Sequence, residues 1–204
     1  MRMTLIALTV TLAAATLAAQ GGEKPVRVIE DGILDEIQLF VEKIPEPHTR
    51  VLIQPFTSDG AKLGTGAAGG DQEEQDESRL MQKEGPALLV EALAQELRAR
   101  HTFVPVKDEE PYDLVVSGRF VELNPGSRVK RYFVGFGAGK AAVGVVGEVK
   151  DRTGRTVANF RQRRIAVGGW GGGDSLKKMR DDSRSIGKDL ANFLHAWAAG
   201  KRLD

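Results

Sequence analysis

Hydrophobic positions along the chain keep two different periods, and the changes of period divide it into elements. In DGILDEIQLFVEKIPEP, Ile33, Ile37, Phe40 or Val41, and Ile44 recur at helical intervals up to Pro45 and Pro47, which predicts a short helix. RVLIQPF, residues 50–56, is β-branched and apolar and predicts a strand. Leu80, Leu88, Leu89, Ala92, Leu93 and Leu97 describe one side of a helix ending near Arg100. Pro86 either kinks a helix running from about Ser78 or marks its first turn, and the expected start is near Gly85, preceded by a looser turn.

A period of two then takes over. HTFVPV, DLVVSGRFVELN, KAAVGVVGEVKD and RTVANFRQRRIAVGG read as strands, the last two joined by a tight hairpin at DRTGR, where Asp151 and Gly154 are the turn residues. The final element returns to spacings of three and four. Leu176, Met179, Ser183, Ile186, Leu190, Phe193 and Trp197 form one stripe, with Asp174 or Ser175 able to cap it. Burying its larger apolar side chains contributes on the order of 10 kcal/mol before entropy is counted. Helices flanking a hairpin-rich sheet predict an α+β fold: a two-layer sandwich with a mixed or antiparallel sheet and the helices on one face.

Length and the first residues set the organisation. A chain of 204 residues suits one domain with appendages. MRMTLIALTVTLAAATLAAQGG has a positive start at Arg2, an apolar run from Leu5 and small residues at Ala18 and Ala19, the three parts of a secretory signal. The run is shorter than the roughly 20 residues a membrane-spanning helix needs. The expected organisation is a signal peptide over 1–19, an N-terminal segment with a short helix over 20–49, and one α+β domain over 50–199 with a mobile loop at 57–77. LAAQ has the shape of a bacterial lipoprotein box with Gln20 where the lipidated cysteine would stand; the sequence contains no cysteine, which excludes that anchor, disulfides and thiolate chemistry. The expected location is periplasmic or secreted.

Net charge is near zero, but the charge is unevenly placed. Asp71, Glu73, Glu74, Asp76 and Glu77 follow one another without a basic residue, whereas Arg128 to Arg164 holds ten Lys or Arg against Glu148 and Asp151. Arg161 and Arg163 share one side of their strand and Arg164 points to the other. Aromatic residues are sparse among these cations and an exported protein rarely meets nucleic acid, so nucleic-acid binding is set aside. Contact with an acidic partner, contact with an anionic envelope surface, and simple solubility with edge protection remain.

GFGAGK raises the question of phosphate binding. A Walker-type loop needs a glycine where Val134 stands, Ser or Thr where Ala141 stands, and a helix afterwards. After Lys140 the sequence alternates Val143, Val145 and Val149, so a strand follows and the glycines are expected to shape a bend. A dinucleotide fingerprint fails on spacing as well, since the glycines are Gly135, Gly137 and Gly139. His48, His101 and His195 lie far apart without ligand spacing, and neither a G-x-S-x-G elbow nor an HExxH motif is present. No catalytic residue, metal ligand or cofactor is assigned.

SGRFVELNPGSRVKRYFVGFGAGKAAVGVVGEVKDRTGRTVANF, followed by GGWGGG and a terminal helix, resembles the bacterial domain-of-unknown-function 4410 family of exported proteins, many of them lipoproteins. The resemblance runs roughly from Tyr112 to Trp197 and is most specific at Arg131, at Gly135 to Ala141, and at Asp151, Thr153 and Gly154. It implies no activity. A more distant similarity to the curli secretion lipoprotein and the TolB amino-terminal domain implies the order strand, helix, strands, hairpin, helix. The expected function is a non-catalytic envelope module acting through an envelope protein or anionic envelope component, with Arg131, Gly135, Gly137, Gly139, Lys140, Arg161 and Arg163 as its contact residues. The alternative is a phosphate-ligand-binding protein or hydrolase using GFGAGK.

Overall fold

The computed structural model describes residues 24–44, 49–64, 72–126, 141–165 and 174–204. Among them, eight strands make one sheet: β1 (Arg27–Glu30), β2 (Glu36–Leu39), β3 (Thr49–Ile53), β4 (Lys62–Leu63), β5 (Phe103–Val106), β6 (Leu114–Asn124), β7 (Ala142–Asp151) and β8 (Thr156–Ile165). Two long helices, α1 (Gln72–Arg100) and α2 (Ser175–Ala198), complete the fold. The spatial order is β1-β2-β8-β7-β6-β3-β5, with β4 beside the distal part of β6. Pairing is antiparallel from β1 to β6 and parallel among β6, β3 and β5, the latter two joined through α1. The α+β two-layer expectation holds, with a mixed sheet and both helices on one face.

Alternation decides what the sheet buries. Val143, Val145 and Val149 of β7 point at the helices with Phe120 of β6 and Phe160 of β8. Met179, Ile186, Leu190, Phe193 and Trp197 of α2 meet them, as its stripe requires, and Asp174 caps the helix by accepting from the Lys177 amide at 2.9 Å. Ser175 donates to Glu77 at 2.5 Å, Arg180 donates to Glu84 at 2.8 Å, and Gly187 abuts the α1 backbone at Leu89 and Leu93. Both numberings rise together, so the helices run parallel and begin at the same end of the molecule. The hairpin at Asp151 is as expected. Its Oδ1 accepts from the Thr153 amide and hydroxyl and the Arg155 amide, and Gly154 takes φ +84°.

Two expectations are corrected. The segment 31–44 is not a helix: Asp31, at φ 54°, turns the chain between β1 and β2, which extend the sheet beyond β8. Ile37 and Leu39 of β2 are buried at period two, and Leu34 and Phe40, in the bends before and after the strand, are buried as well, so the combined spacing imitates a helix. Leu203 seals this hairpin, its carbonyl accepting from the Ile33 amide at 2.9 Å.

The other correction is the start of α1, which lies at Gln72 and places Pro86 inside the helix. Proline has no N–H for the Gln82 carbonyl four residues back. That carbonyl instead accepts from the Ser58 hydroxyl at 2.7 Å. Glu74, Ser78, Met81 and Gly85 continue the buried stripe toward the N-terminus, and Glu73 and Glu74 suit the positive end of the helix. Within the expected loop 57–77, Thr57 bridges to Arg119, β4 pairs with β6 after a turn at 58–61, and 72–77 form the first turns of α1.

Candidate functional site

With both helices on one face, the other face of the sheet presents a row of charged side chains. On β8, Phe160 and Gln162 point toward the helices and Arg161 and Arg163 away from them. Arg164 follows the inward set and binds Asp189 of α2 at 2.6 Å. The two arginines of the open face are not free cations. Arg161 pairs with Glu36 of β2, its direct cross-strand neighbour, at 2.9 Å, and Arg163 holds Glu122 of β6 with Nε at 2.6 Å and Nη2 at 3.2 Å.

Glu122 reaches that face because β6 carries a bulge between Phe120 and Glu122. Strict alternation from the buried Phe120 would turn residue 122 toward the helices; the extra residue, Val121, reverses the parity, so Glu122 faces outward and Leu123 inward. Between the two partners lies Gly144 of β7, paired to Glu122 on one side and Arg163 on the other. A Cβ there would stand 3.2 Å from Val121 Cγ2 and 3.3 Å from Glu122 Cβ, so glycine avoids crowding the bulge that turns Glu122 outward. The hydrogen bond to Glu122 is the main cause that raises the Arg163 pKa above its ordinary value. The Arg163 amide is also fixed, donating to Asp35 at 2.7 Å. Glu148 completes the face, bound by Lys150 at 2.7 Å and Thr156 at 3.0 Å. Arg119, beside Val146 in the row of Arg161, is exposed and has no ion-pair partner among the described residues.

Arg131, Gly135, Gly137, Gly139 and Lys140 lie outside the described residues. Their chain attachments do not. The segment 127–140 joins Gly126 to Ala141 beyond the paired ends Asn124 and Ala142, and 166–173 leaves from Ile165, which pairs with the same Ala142. The segment 65–71 leaves from Leu63 and Gly64, beside Leu123. Three glycine-rich stretches are thus anchored at one end of the sheet, the end where α1 and α2 begin. Ala142 opens a strand, as the alternation after Lys140 predicts, so no helix N-terminus follows the glycines. Both helices that do begin there have carboxylates at their positive ends, Glu73 and Glu74 on α1 and Asp174 on α2, where a phosphate would otherwise bind.

No group of three or more potential metal ligands occurs among the described residues. His48 is outside them, and neither His101 nor His195 belongs to such a group, although Thr102, next to His101, contacts His195. His195 contacts Thr102 through Nδ1 at 2.7 Å; burial, then the charges of Arg100 and Lys201, lower its pKa. Burial raises the pKa of Asp189, against the pull of Arg164. Sequence reading found Arg161 and Arg163 and their common side. It missed Glu36 and Glu122, one placed by a strand read as helix and the other by a bulge; the glycine at 144 opposite an outward arginine was the available signal.

A family model described as a domain of unknown function, DUF4410, matches residues 51–169. No curated protein matches the chain. Among solved structures it is similar to the PelC dodecamer from Paraburkholderia phytofirmans, as a single-residue variant in one crystal form and unsubstituted in another. One has 15% identity over 76% of this chain and 95% of that one, with a TM-score of 0.45. The other has 14% identity over 76% and 96%, with a TM-score of 0.44. Protein XCC0632 from Xanthomonas campestris, of the DUF330 family, is 9% identical over 76% of this chain and 89% of that one, with a TM-score of 0.43.

Proposed function

This chain belongs to the DUF4410 family, a domain of unknown function, and from that premise we propose that it is an exported envelope protein that works by contact. Its contact surface is the open sheet face around Arg161 and Arg163 together with Arg131, Gly135, Gly137, Gly139 and Lys140. The observation that carries this reading is the ordered open face: four strands present side chains held by Arg161–Glu36, Arg163–Glu122 and Lys150–Glu148 pairs, with both helices on the opposite side. Ion pairs that fix long side chains beforehand reduce the entropy lost on binding a partner. Charge near balance favours a polar protein surface as partner over a purely anionic one, because each of the two arginines already neutralises a carboxylate. Export rests on the tripartite first 19 residues, with Gln20 after the cleavage point and no cysteine for a lipid anchor.

Fractionation of cells and photo-crosslinking from positions 131, 140 and 163 test both parts. The expected result is a chain shortened by its signal, recovered outside the cytoplasm, giving the same discrete crosslinked product from all three positions and none from the exposed Glu91 of α1. Cytoplasmic retention would overturn the export. Crosslinks no different from those at position 91 would overturn the contact surface. The phosphate-ligand reading gains no support from the described residues, since a strand follows Lys140 and carboxylates stand at both nearby helix starts.

A further inference from the structure

The sequence contains two Asp-Gly steps, Asp31-Gly32 and Asp59-Gly60, and no Asn-Gly step. Such a step can close on itself: the glycine nitrogen attacks the aspartyl Cγ, and five-membered ring closure has the advantage of a well-placed intramolecular reaction. Glycine helps because it has no Cβ to hinder the approach. The fold treats the two steps differently. At the first, the Asp31 amide donates to the Asp35 carbonyl and the Gly32 amide to the Leu34 carbonyl, both at 3.1 Å. Gly32 also packs against the Leu203 carbonyl, so its nitrogen cannot move without unfastening the turn between β1 and β2. The second step is open. It forms the centre of a turn closed by the Ala61 amide donating to the Ser58 carbonyl at 3.1 Å, with Gly60 at φ +74°, as the third position of a type II turn requires. Asp59 and Gly60 are both exposed, and a Cβ on Gly60 would meet no other part of the fold within 4 Å. Among the described residues, neither the Gly60 amide nor the Asp59 carboxyl has a hydrogen-bond or ion-pair partner.

We propose that Asp59 is a site of spontaneous modification, where the folded chain converts to an isoaspartyl link and so loosens the support that Ser58 gives to α1, while Asp31 stays intact. The Gly60 nitrogen bonds to Asp59 Cγ, and its proton leaves with the hydroxyl of the protonated carboxyl as water. The succinimide then takes water back at either carbonyl. Opening at the α-carbonyl routes the main chain through Cβ and Cγ, which adds one atom between Ser58 and Gly60 and leaves a free α-carboxylate. No oxidant or second reactant besides water is needed. The length of this turn matters beyond the turn itself. The Ser58 hydroxyl, one residue before Asp59, donates at 2.7 Å to the Gln82 carbonyl that Pro86 leaves unpaired, and β4 begins at Lys62, two residues after Gly60. A longer link between fixed ends displaces that hydroxyl and exposes the proline turn of α1.

Prolonged incubation of the folded chain in mildly acidic buffer, followed by peptide mapping with electron-transfer fragmentation, tests the site. The expected result is isoaspartate accumulating at least about tenfold faster at 59 than at 31 in the folded chain, and at similar rates at both steps in the urea-unfolded chain. Hydrogen exchange of α1 near Pro86 should be faster in the converted fraction. Asp59→Glu, aged in the same way, should keep its original exchange, because its closure would need a slower six-membered ring. No isoaspartate at 59, or as much at 31 in the folded chain, would overturn the site. Exchange near Pro86 that is unchanged on conversion, or that speeds up equally in Asp59→Glu, would overturn its link to α1.

Discussion

Two glycines inside helices should answer the same substitution differently. Gly187 lies where α2 touches α1. A Cβ there would stand 3.0 Å from the Leu93 amide nitrogen and 3.1 Å from Ala92 Cβ, and closer still to the Leu89 carbonyl oxygen. Carbon atoms pack at roughly 3.5–4.0 Å, and two of these neighbours are backbone, so the helices must separate. Overpacking of this kind costs about 1–3 kcal/mol, or more when backbone has to move, against a gain of about 1 kcal/mol in helix propensity. Gly187→Ala is therefore expected to lose about 1–2 kcal/mol. Gly85 of α1 differs: a Cβ there meets only the flexible Met81 methyl at 3.3 Å and the Phe120 ring at 3.5 Å. The propensity gain of about 1 kcal/mol is opposed by the ring of Pro86, next in the helix, which disfavours the helical conformation of a Cβ-bearing residue before it, so Gly85→Ala should be neutral or slightly more stable. At about 2–4 °C per kcal/mol for a chain of this size, calorimetry should show Gly187→Ala melting about 2–8 °C lower and Gly85→Ala unchanged or higher. If Gly187→Ala raises the midpoint, the helices are not in the described backbone contact.

Other consequences concern charge and the tail. The Arg50 amide, then its side chain, lowers the Asp113 pKa; at Asp151 burial opposes the charge, but hydrogen bonds from Thr153 and Arg155 outweigh it. Both carboxyls thus bind protons less readily when folded, so their stabilisation is complete above the ordinary value of 3.8 and is lost as pH falls through the lower folded values. Asp151→Ala should cost about 1–2 kcal/mol in urea unfolding at pH 7, and the deficit should narrow below pH 3. Asp189 has the opposite sign, since its folded pKa is raised and the native state takes up the proton first as pH falls. Arg164→Met, which leaves that carboxylate without its guanidinium, should be less stable at pH 7 and recover part of the loss near pH 4, as followed by equilibrium unfolding. A double-mutant cycle on Arg163 and Glu122 should give a coupling of about 0.5–1 kcal/mol, limited by the solvent around Arg163. Leu203→Ala should cost about 2–4 kcal/mol and, by hydrogen exchange, release β1 and β2 before β6, β7 and β8.

What the sequence determined by itself was the part governed by local periodicity and turn chemistry. β6, β7, β8 and α2 each bury one face, so Val143, Val145 and Val149, or Met179, Ile186 and Leu190, carry their own period. The turn at Asp151 and Gly154 is satisfied by atoms at most four residues away. Tertiary structure decided the rest, wherever a distant group settled a local ambiguity. Residues 31–44 bury apolar side chains both within β2 and in the bends flanking it, so two periods fit, and pairing with β8 and cover from Leu203 select the strands. Pro86 is tolerated within α1 because the hydroxyl of Ser58 meets the carbonyl that proline leaves unpaired. The arginines of the open face were visible in the sequence as charges on one side of a strand; their neutralisation was not, because Glu36 arrives on a strand read as helix and Glu122 is turned outward by a single bulged residue. Hydrogen-bond partners far along the chain carry no local period, and only the fold brings them within reach.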